Sequence, residues 1–179
     1  MFQLPPVPSW DGLHPLIIHF PIGLLLVAPV FILLGALVEP RRGRMFLIAA
    51  LVLLLLGTGA IFFAVQTGEA AGKLAERTPE INAVLEHHEQ LAERSKLVFS
   101  VLTFVLALVI FFPALIRREI PRWAYVAMPL VFLVFYGGGM LLLTNTAHNG
   151  GRLVHEFGVH AMVAPSAQPA QPSNESPGD

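Results

Sequence analysis

The sequence predicts an all-α integral membrane protein, a four-helix bundle with up-down-up-down topology. Its 179 residues are 55% hydrophobic and only 13% charged, and the mean hydropathy is +0.68. A soluble domain carries about a quarter charged residues, so this composition suits a surface in contact with lipid. Four long apolar runs, without an internal sequence repeat, set the number of helices.

The four apolar runs are residues 13–38, 45–65, 97–116 and 123–143. Each is long enough to cross a hydrocarbon core, which takes about 20 helical residues. Lipid offers no hydrogen-bond partner to the backbone, so a spanning segment must be a helix or a strand of a closed barrel. The runs do not alternate apolar and polar residues as barrel strands do. Each run is therefore predicted to be a helix, within one transmembrane domain that covers residues 1–162.

The segment before the third span predicts that its helix begins outside the membrane. Thr78 is a candidate N-cap, Pro79 suits the first helical position, and apolar residues recur at helical spacing from Ile81 onwards. We expect one extended third helix and a further outer helical segment after the fourth span. Residues 163–179 are rich in Pro, Ala and Ser and are predicted to form a disordered tail.

Two short turns predict the orientation in the membrane. Residues 39–44 and 117–122 hold three arginines each, six of the eleven basic residues in the chain. The positive-inside bias places these turns in the cytoplasm. Both termini are then expected in the periplasm or outside the cell, with the chain in the inner (plasma) membrane.

The composition also excludes several classes of function. Because there is no cysteine, disulfides, thiolate metal sites, iron–sulfur clusters and covalently attached c-type haem are excluded. The net charge of −1 provides no basic surface for nucleic acid. We find no phosphate-binding loop, nucleotide fingerprint or Ser-His-Asp pattern, so no catalytic residue is assigned. The spans contain no carboxylate, which disfavours transport.

All seven histidines fall on the predicted outer side or in the outer third of a span. His19 lies inside the first span, where an ionisable side chain is costly and is expected to face the bundle interior. His88 continues the apolar stripe of the third helix and is its predicted partner. His14 and His148, at the ends of the first and fourth helices, are the next candidates. Gly23, one turn deeper than His19, is expected to leave room for a bound ring.

These residues predict a cofactor site near the outer face. A four-helix bundle with histidines in its core is a familiar host for b-type haem, which needs only axial ligands. Neutral imidazole also binds copper, zinc or iron, and such a bare metal would require three or four converging histidines. The alternative is a non-catalytic scaffold or subunit whose histidines hydrogen-bond to backbone carbonyls.

Two stretches of the chain resemble a known family. Residues 13–23 read LHPLIIHFPIG and residues 150–154 read GGRLV, and they resemble the bacterial four-helix membrane family called domain of unknown function 2231. Gly68 and His88 also look like family positions. Members of that family occur fused to c-type cytochrome or Rieske domains. The resemblance therefore implies a redox neighbourhood, with a cytochrome or another redox protein as the partner on the outer side of the bilayer.

Overall fold

The structure is a computed structural model that describes residues 7–75, 77–115 and 121–159. Its regular elements in these ranges are all helical. A 3₁₀ turn at Trp10–Leu13 leads into α1 (His14–Ile17), α2 (His19–Leu37), α3 (Pro40–Gly72), α4 (Pro79–Leu115) and α5 (Arg122–His155). The turn at residues 117–120, His160 and the predicted tail lie outside the described residues.

Four helical stretches are long and apolar enough to cross a membrane. They are Trp10–Leu37, Pro40–Gly72, Pro79–Phe111 and Arg122–His155. α2 packs against α3 and α5, and α4 packs against the same two helices, so that the four helices form a ring with α2 and α4 on one diagonal. This arrangement confirms the predicted four-helix membrane bundle. The short connection between α2 and α3 lies at one end, here called the turn end; His14 and His88 lie at the other, the histidine end.

The start of α4 follows its sequence signals. Thr78 Oγ1 accepts a hydrogen bond from the Ile81 backbone N–H at 3.3 Å, and Pro79 is the first helical residue. The helix then continues without a break to Leu115. The predicted extended third helix is therefore present. α5 likewise runs on to His155, so the outer segment after the fourth span begins as a continuation of that helix.

The core of the bundle is apolar and lies along the axis between the four helices. Leu25, Leu54, Phe99, Leu106 and Tyr136 contribute side chains that are almost fully buried. Many equally apolar side chains face outwards along the same helices. A continuous apolar exterior of this size would be unfavourable in water, whereas lipid tails solvate it without cost.

A proline in the middle of α2 is compensated by a tyrosine on α5. Pro29 has no N–H, so the carbonyl of Leu25, four residues earlier, lacks its usual helical partner. The Tyr136 hydroxyl donates a hydrogen bond to that carbonyl at 2.6 Å. Because the membrane interior supplies no water to an orphaned carbonyl, this bond ties α5 to α2 at the position where α2 needs a donor.

At the turn end, α2 and α3 approach each other through glycines. A Cβ atom added to Gly43 would collide with the backbone carbonyl oxygen of Gly35, and one added to Gly35 would lie 2.7 Å from the Leu47 side chain. Both glycines are buried. Small residues permit this backbone-to-backbone contact, which sets the crossing of the first hairpin.

Candidate functional site

Two histidines meet between diagonal helices at the histidine end. His14 is the first residue of α1, and His88 lies two and a half turns into α4. Their ring centres are 6.5 Å apart, and the ring planes are nearly perpendicular, at 84°. Both side chains are half-buried. The structure therefore brings two of the four predicted ligand histidines together.

His14 packs against the last turns of α3. Its Nδ1 donates a hydrogen bond to the Ala64 carbonyl at 2.9 Å, with Thr67 Oγ1 also in reach at 3.3 Å. The ring lies against Gly68, where an added Cβ would be only 2.9 Å from Cε1 of His14. The fully buried Thr67 in turn donates to the Phe63 and Ala64 carbonyls, at 2.9 and 3.1 Å.

His88 packs against α5 in the same manner. Its Nδ1 donates a hydrogen bond to the Thr146 carbonyl at 2.9 Å. The ring lies against Gly150, where an added Cβ would be 3.0 Å from Cε1 of His88. Ser95, two turns further along α4 on the same face, contacts the Thr146 hydroxyl at 3.1 Å. The face of α4 that carries His88 is thus bonded to α5 by two residues, His88 and Ser95.

The two contacts are equivalent, and we call each of them an imidazole seat. The seat of His14 consists of the Ala64 carbonyl and Gly68, and the seat of His88 consists of the Thr146 carbonyl and Gly150. In both, the glycine follows the accepting carbonyl by four residues. The first half of the bundle and the second half therefore present their histidines in the same way.

The hydrogen bonds also determine which ring nitrogen is free. A carbonyl oxygen only accepts, so Nδ1 of each ring carries the proton and Nε2 of the neutral imidazole carries the lone pair. Neither Nε2 has a hydrogen-bond partner in the described part of the chain. That part also holds no fully buried side-chain nitrogen or oxygen without such a partner. Neither Nε2 atom is therefore fully buried.

A comparison with protein families also indicates a membrane protein. A family model described as a predicted membrane protein, DUF2231, matches residues 11–162 and therefore includes both histidines and both seats. The chain belongs to the DUF2231 family. Neither the comparison with curated proteins nor that with solved structures returned a significant match.

In this DUF2231 protein His14, and not His19, is the neighbour of His88. The His19 side chain is exposed on the outside of the bundle, which corrects the expectation that it faces the interior. Five residues separate it from His14, which is about 140° of rotation in an ideal helix. The break between α1 and α2 at Ile18 does not reverse this difference. Since the first turn presents His14 to α3, His19 points outwards.

His148 and Gly23 do not join the pair either. His148 is exposed, two residues beyond Thr146 on α5, and a step of two residues turns a side chain about 200° away. Gly23 is exposed as well, with nothing within 4 Å of an added Cβ, so it does not open a space beside the rings. Both residues lie on the outward side of their helices.

The seats themselves were not predicted from the sequence. Gly68 and Gly150 stand in stretches that resemble the family, which was the one available signal for them. The Ala64 and Thr146 carbonyls leave no mark in a sequence, because every residue has one. Among the described residues, no group of three His, Asp or Glu side chains could hold a metal ion. The donor set at this site is thus two imidazoles.

Proposed function

We propose that the protein binds a b-type haem between His14 and His88 and transfers electrons at the outer face of the membrane. The observation that carries this proposal is the pair of half-buried imidazoles, 6.5 Å apart and with both Nδ1 atoms bonded to backbone carbonyls. Haem iron is held in proteins by side chains such as histidine, and His14 and His88 would supply these ligands here.

The distance between the rings places both histidines where they could hold one group between them. Their ring centres are 6.5 Å apart. The two residues would hold the haem through Nε2, because backbone carbonyls occupy both Nδ1 atoms.

The donor set favours haem over a bare metal ion. Zinc in a structural site has four protein ligands, and a catalytic zinc has three. Only two imidazoles meet in the described residues, without a third His or a carboxylate beside them. Haem is the cofactor whose coordination two histidines complete.

The chain's own residues would orient the ligands and tune the cofactor. A histidine that donates its second ring N–H to a carbonyl is held in one tautomer and one orientation, and it becomes a more basic ligand. The Ala64 and Thr146 carbonyls would act in this way on His14 and His88. When bound, haem supplies one-electron redox chemistry, which the side chains present here lack.

The proposed setting is the outer side of the inner membrane. The arginines of residues 39–44 support a cytoplasmic turn end, which puts the histidine end and both termini in the periplasm or outside the cell. A haem at that end would exchange electrons with a cytochrome or another redox protein on the outer side. The resemblance noted in the sequence implies a partner of this kind.

A second candidate function is that of a non-catalytic scaffold. The hydrogen bonds from His14 to Ala64 and from His88 to Thr146 favour it, because they already give each buried imidazole a partner. In this case the two histidines would only join the halves of the bundle. If the protein is a scaffold, it binds no chromophore, and the Nε2 atoms of the two histidines bind no ligand.

An optical spectrum of the purified full-length protein separates the two candidates. The protein is expressed with a haem precursor in the medium, and spectra are recorded after oxidation and after reduction with dithionite. We expect the sharp α-band of a six-coordinate b-type haem in the reduced state. If the purified protein has no haem and binds none when titrated with haemin, the haem proposal is wrong.

A further inference from the structure

We infer that Gly68 and Gly150 are positioning residues that fix the tautomer and the plane of the two imidazoles. The inference concerns the seats in the protein itself; its consequence for bound haem rests on the proposed function. Neither glycine would touch the iron. Each would act through the histidine that lies against it.

Helix geometry explains why the seats require glycine. The Cα–Cβ bond of a helical residue tilts towards the N-terminus of the helix, so a side chain at one position leans over the preceding turn. A side chain at residue 68 would therefore lean over the carbonyl of Ala64, and one at residue 150 over that of Thr146. Glycine leaves this space open, and an imidazole edge occupies it in both seats.

In both seats an added methyl group would be too close to the imidazole, which would have to shift by a few tenths of an ångström. An added Cβ would lie 2.9 Å from Cε1 of His14 at residue 68, and 3.0 Å from Cε1 of His88 at residue 150. Ordinary carbon–carbon contacts are about 3.5–4.0 Å. The ring would have to move away from the helix, and the hydrogen bond from its Nδ1 to the carbonyl, now 2.9 Å, would lengthen or break.

Other glycines in the same two helices serve as matched controls. Gly59 on α3 and Gly151 on α5 have nothing within 4 Å of an added Cβ. Gly151 is the direct neighbour of Gly150, so both substitutions add the same methyl group at the same depth. A difference between Gly150→Ala and Gly151→Ala therefore reports on the imidazole contact, since helix propensity and membrane position are shared. Gly59→Ala controls for the added methyl group on α3, about two and a half turns from Gly68.

The first test reads the tautomer without haem. Full-length protein labelled with ¹⁵N at its histidines is prepared in detergent micelles without haem, and the side-chain nitrogens are observed by NMR. We expect two of the histidines, assigned by loss of their signals in His14→Gln and His88→Gln, to show a protonated Nδ1 and an unprotonated Nε2. If His14 and His88 both carry the proton on Nε2, the inference is overturned. This result comes from the wild-type protein, so it does not depend on whether the glycine variants fold.

The second test compares the variants. Gly68→Ala and Gly150→Ala should each abolish the protonated-Nδ1 signature of their own histidine, whereas Gly59→Ala and Gly151→Ala should preserve both. In protein titrated with haemin, the first two should lower the affinity for haem by about tenfold or more, as the loss of an outer hydrogen bond to a metal-bound histidine does. Equal behaviour of Gly150→Ala and Gly151→Ala in NMR would contradict the inference. Lack of haem binding by the wild type would refute the proposed function alone, because the NMR result does not depend on it.

Discussion

The five residues between His14 and His19 determine which imidazole enters the bundle. About 140° of helical rotation separates the two positions, so the helix that turns His14 towards α3 turns His19 outwards. The sequence marks both histidines as candidates and shows that one helix face cannot hold both. Which of them faces inwards depends on the 3₁₀ turn that precedes α1 and on its packing against α3. Neither has a signal in the local sequence.

Substitution of the four predicted ligand histidines separates the pair from the others. His14→Ala and His88→Ala should each convert the low-spin haem spectrum to a high-spin one, because an axial ligand is lost. The affinity should fall by more than the roughly 10- to 100-fold typical of an outer-shell partner. His19→Ala and His148→Ala, which remove exposed imidazoles, should leave the spectrum unchanged. A loss of haem in His19→Ala with retention in His14→Ala would reverse the assignment.

Tyr136 offers a residue-level test of the bundle interior. Tyr136→Phe removes the only atom of the side chain that bonds to the Leu25 carbonyl, and Pro29 cannot replace it. An unpaired polar group in this position should cost about 1–3 kcal/mol of unfolding free energy. Unfolding in detergent micelles measures the effect, and Tyr125→Phe, at an exposed position on the same helix, is the control. Equal stability of both variants would show that the carbonyl finds another donor.

At the scale of the helices, the sequence predicted the most regular features best. The four spans follow from apolar length alone, and the start of α4 follows from Thr78 and Pro79. The apolar stripe that led to His88 also gave its orientation, because α4 is unbroken from its first turn into the bundle. The contacts between helices were not predictable in this way, since they join residues about 50 to 110 positions apart through backbone atoms.

The glycine contact between α2 and α3 predicts a large effect from a small substitution. Gly43→Ala places a methyl group against the Gly35 carbonyl oxygen, and a backbone atom cannot rotate away. The hairpin must then separate, which should cost about 1–3 kcal/mol, as overpacking does. Thermal unfolding in detergent micelles measures this cost. Gly59→Ala on the same helix meets open space and should be neutral or slightly stabilising; similar losses in both variants would contradict the account.

At the scale of the whole molecule, the two halves of the bundle hold their histidines by the same kind of contact. Each presents one histidine against a glycine and the carbonyl four residues before it, and the rings of His14 on α1 and His88 on α4 meet. This arrangement places the proposed haem between the halves, so that both must fold before the second axial ligand is available.

The orientation of the bundle can be tested directly because the chain contains no cysteine. Single cysteines are introduced by Arg42→Cys at the turn end and Ala83→Cys in the exposed first turns of α4. A membrane-impermeant thiol reagent applied to intact spheroplasts should label the second variant at once and the first only after lysis. The arginine distribution predicts this result. The opposite labelling pattern would place the histidine end in the cytoplasm and its redox partner with it.

The central claim is that His14 and His88 bind one haem iron from opposite sides. Electron paramagnetic resonance of the ferric, haem-loaded wild-type protein tests it most directly, because the signal depends on both axial ligands and on the angle between their planes. If bound haem keeps the imidazole planes at the 84° of this structure, two d orbitals of the iron would be nearly equal in energy. The account predicts a low-spin spectrum dominated by a single, strongly shifted low-field signal. A high-spin spectrum would mean that one imidazole is not bound to the iron, and it would contradict the claim.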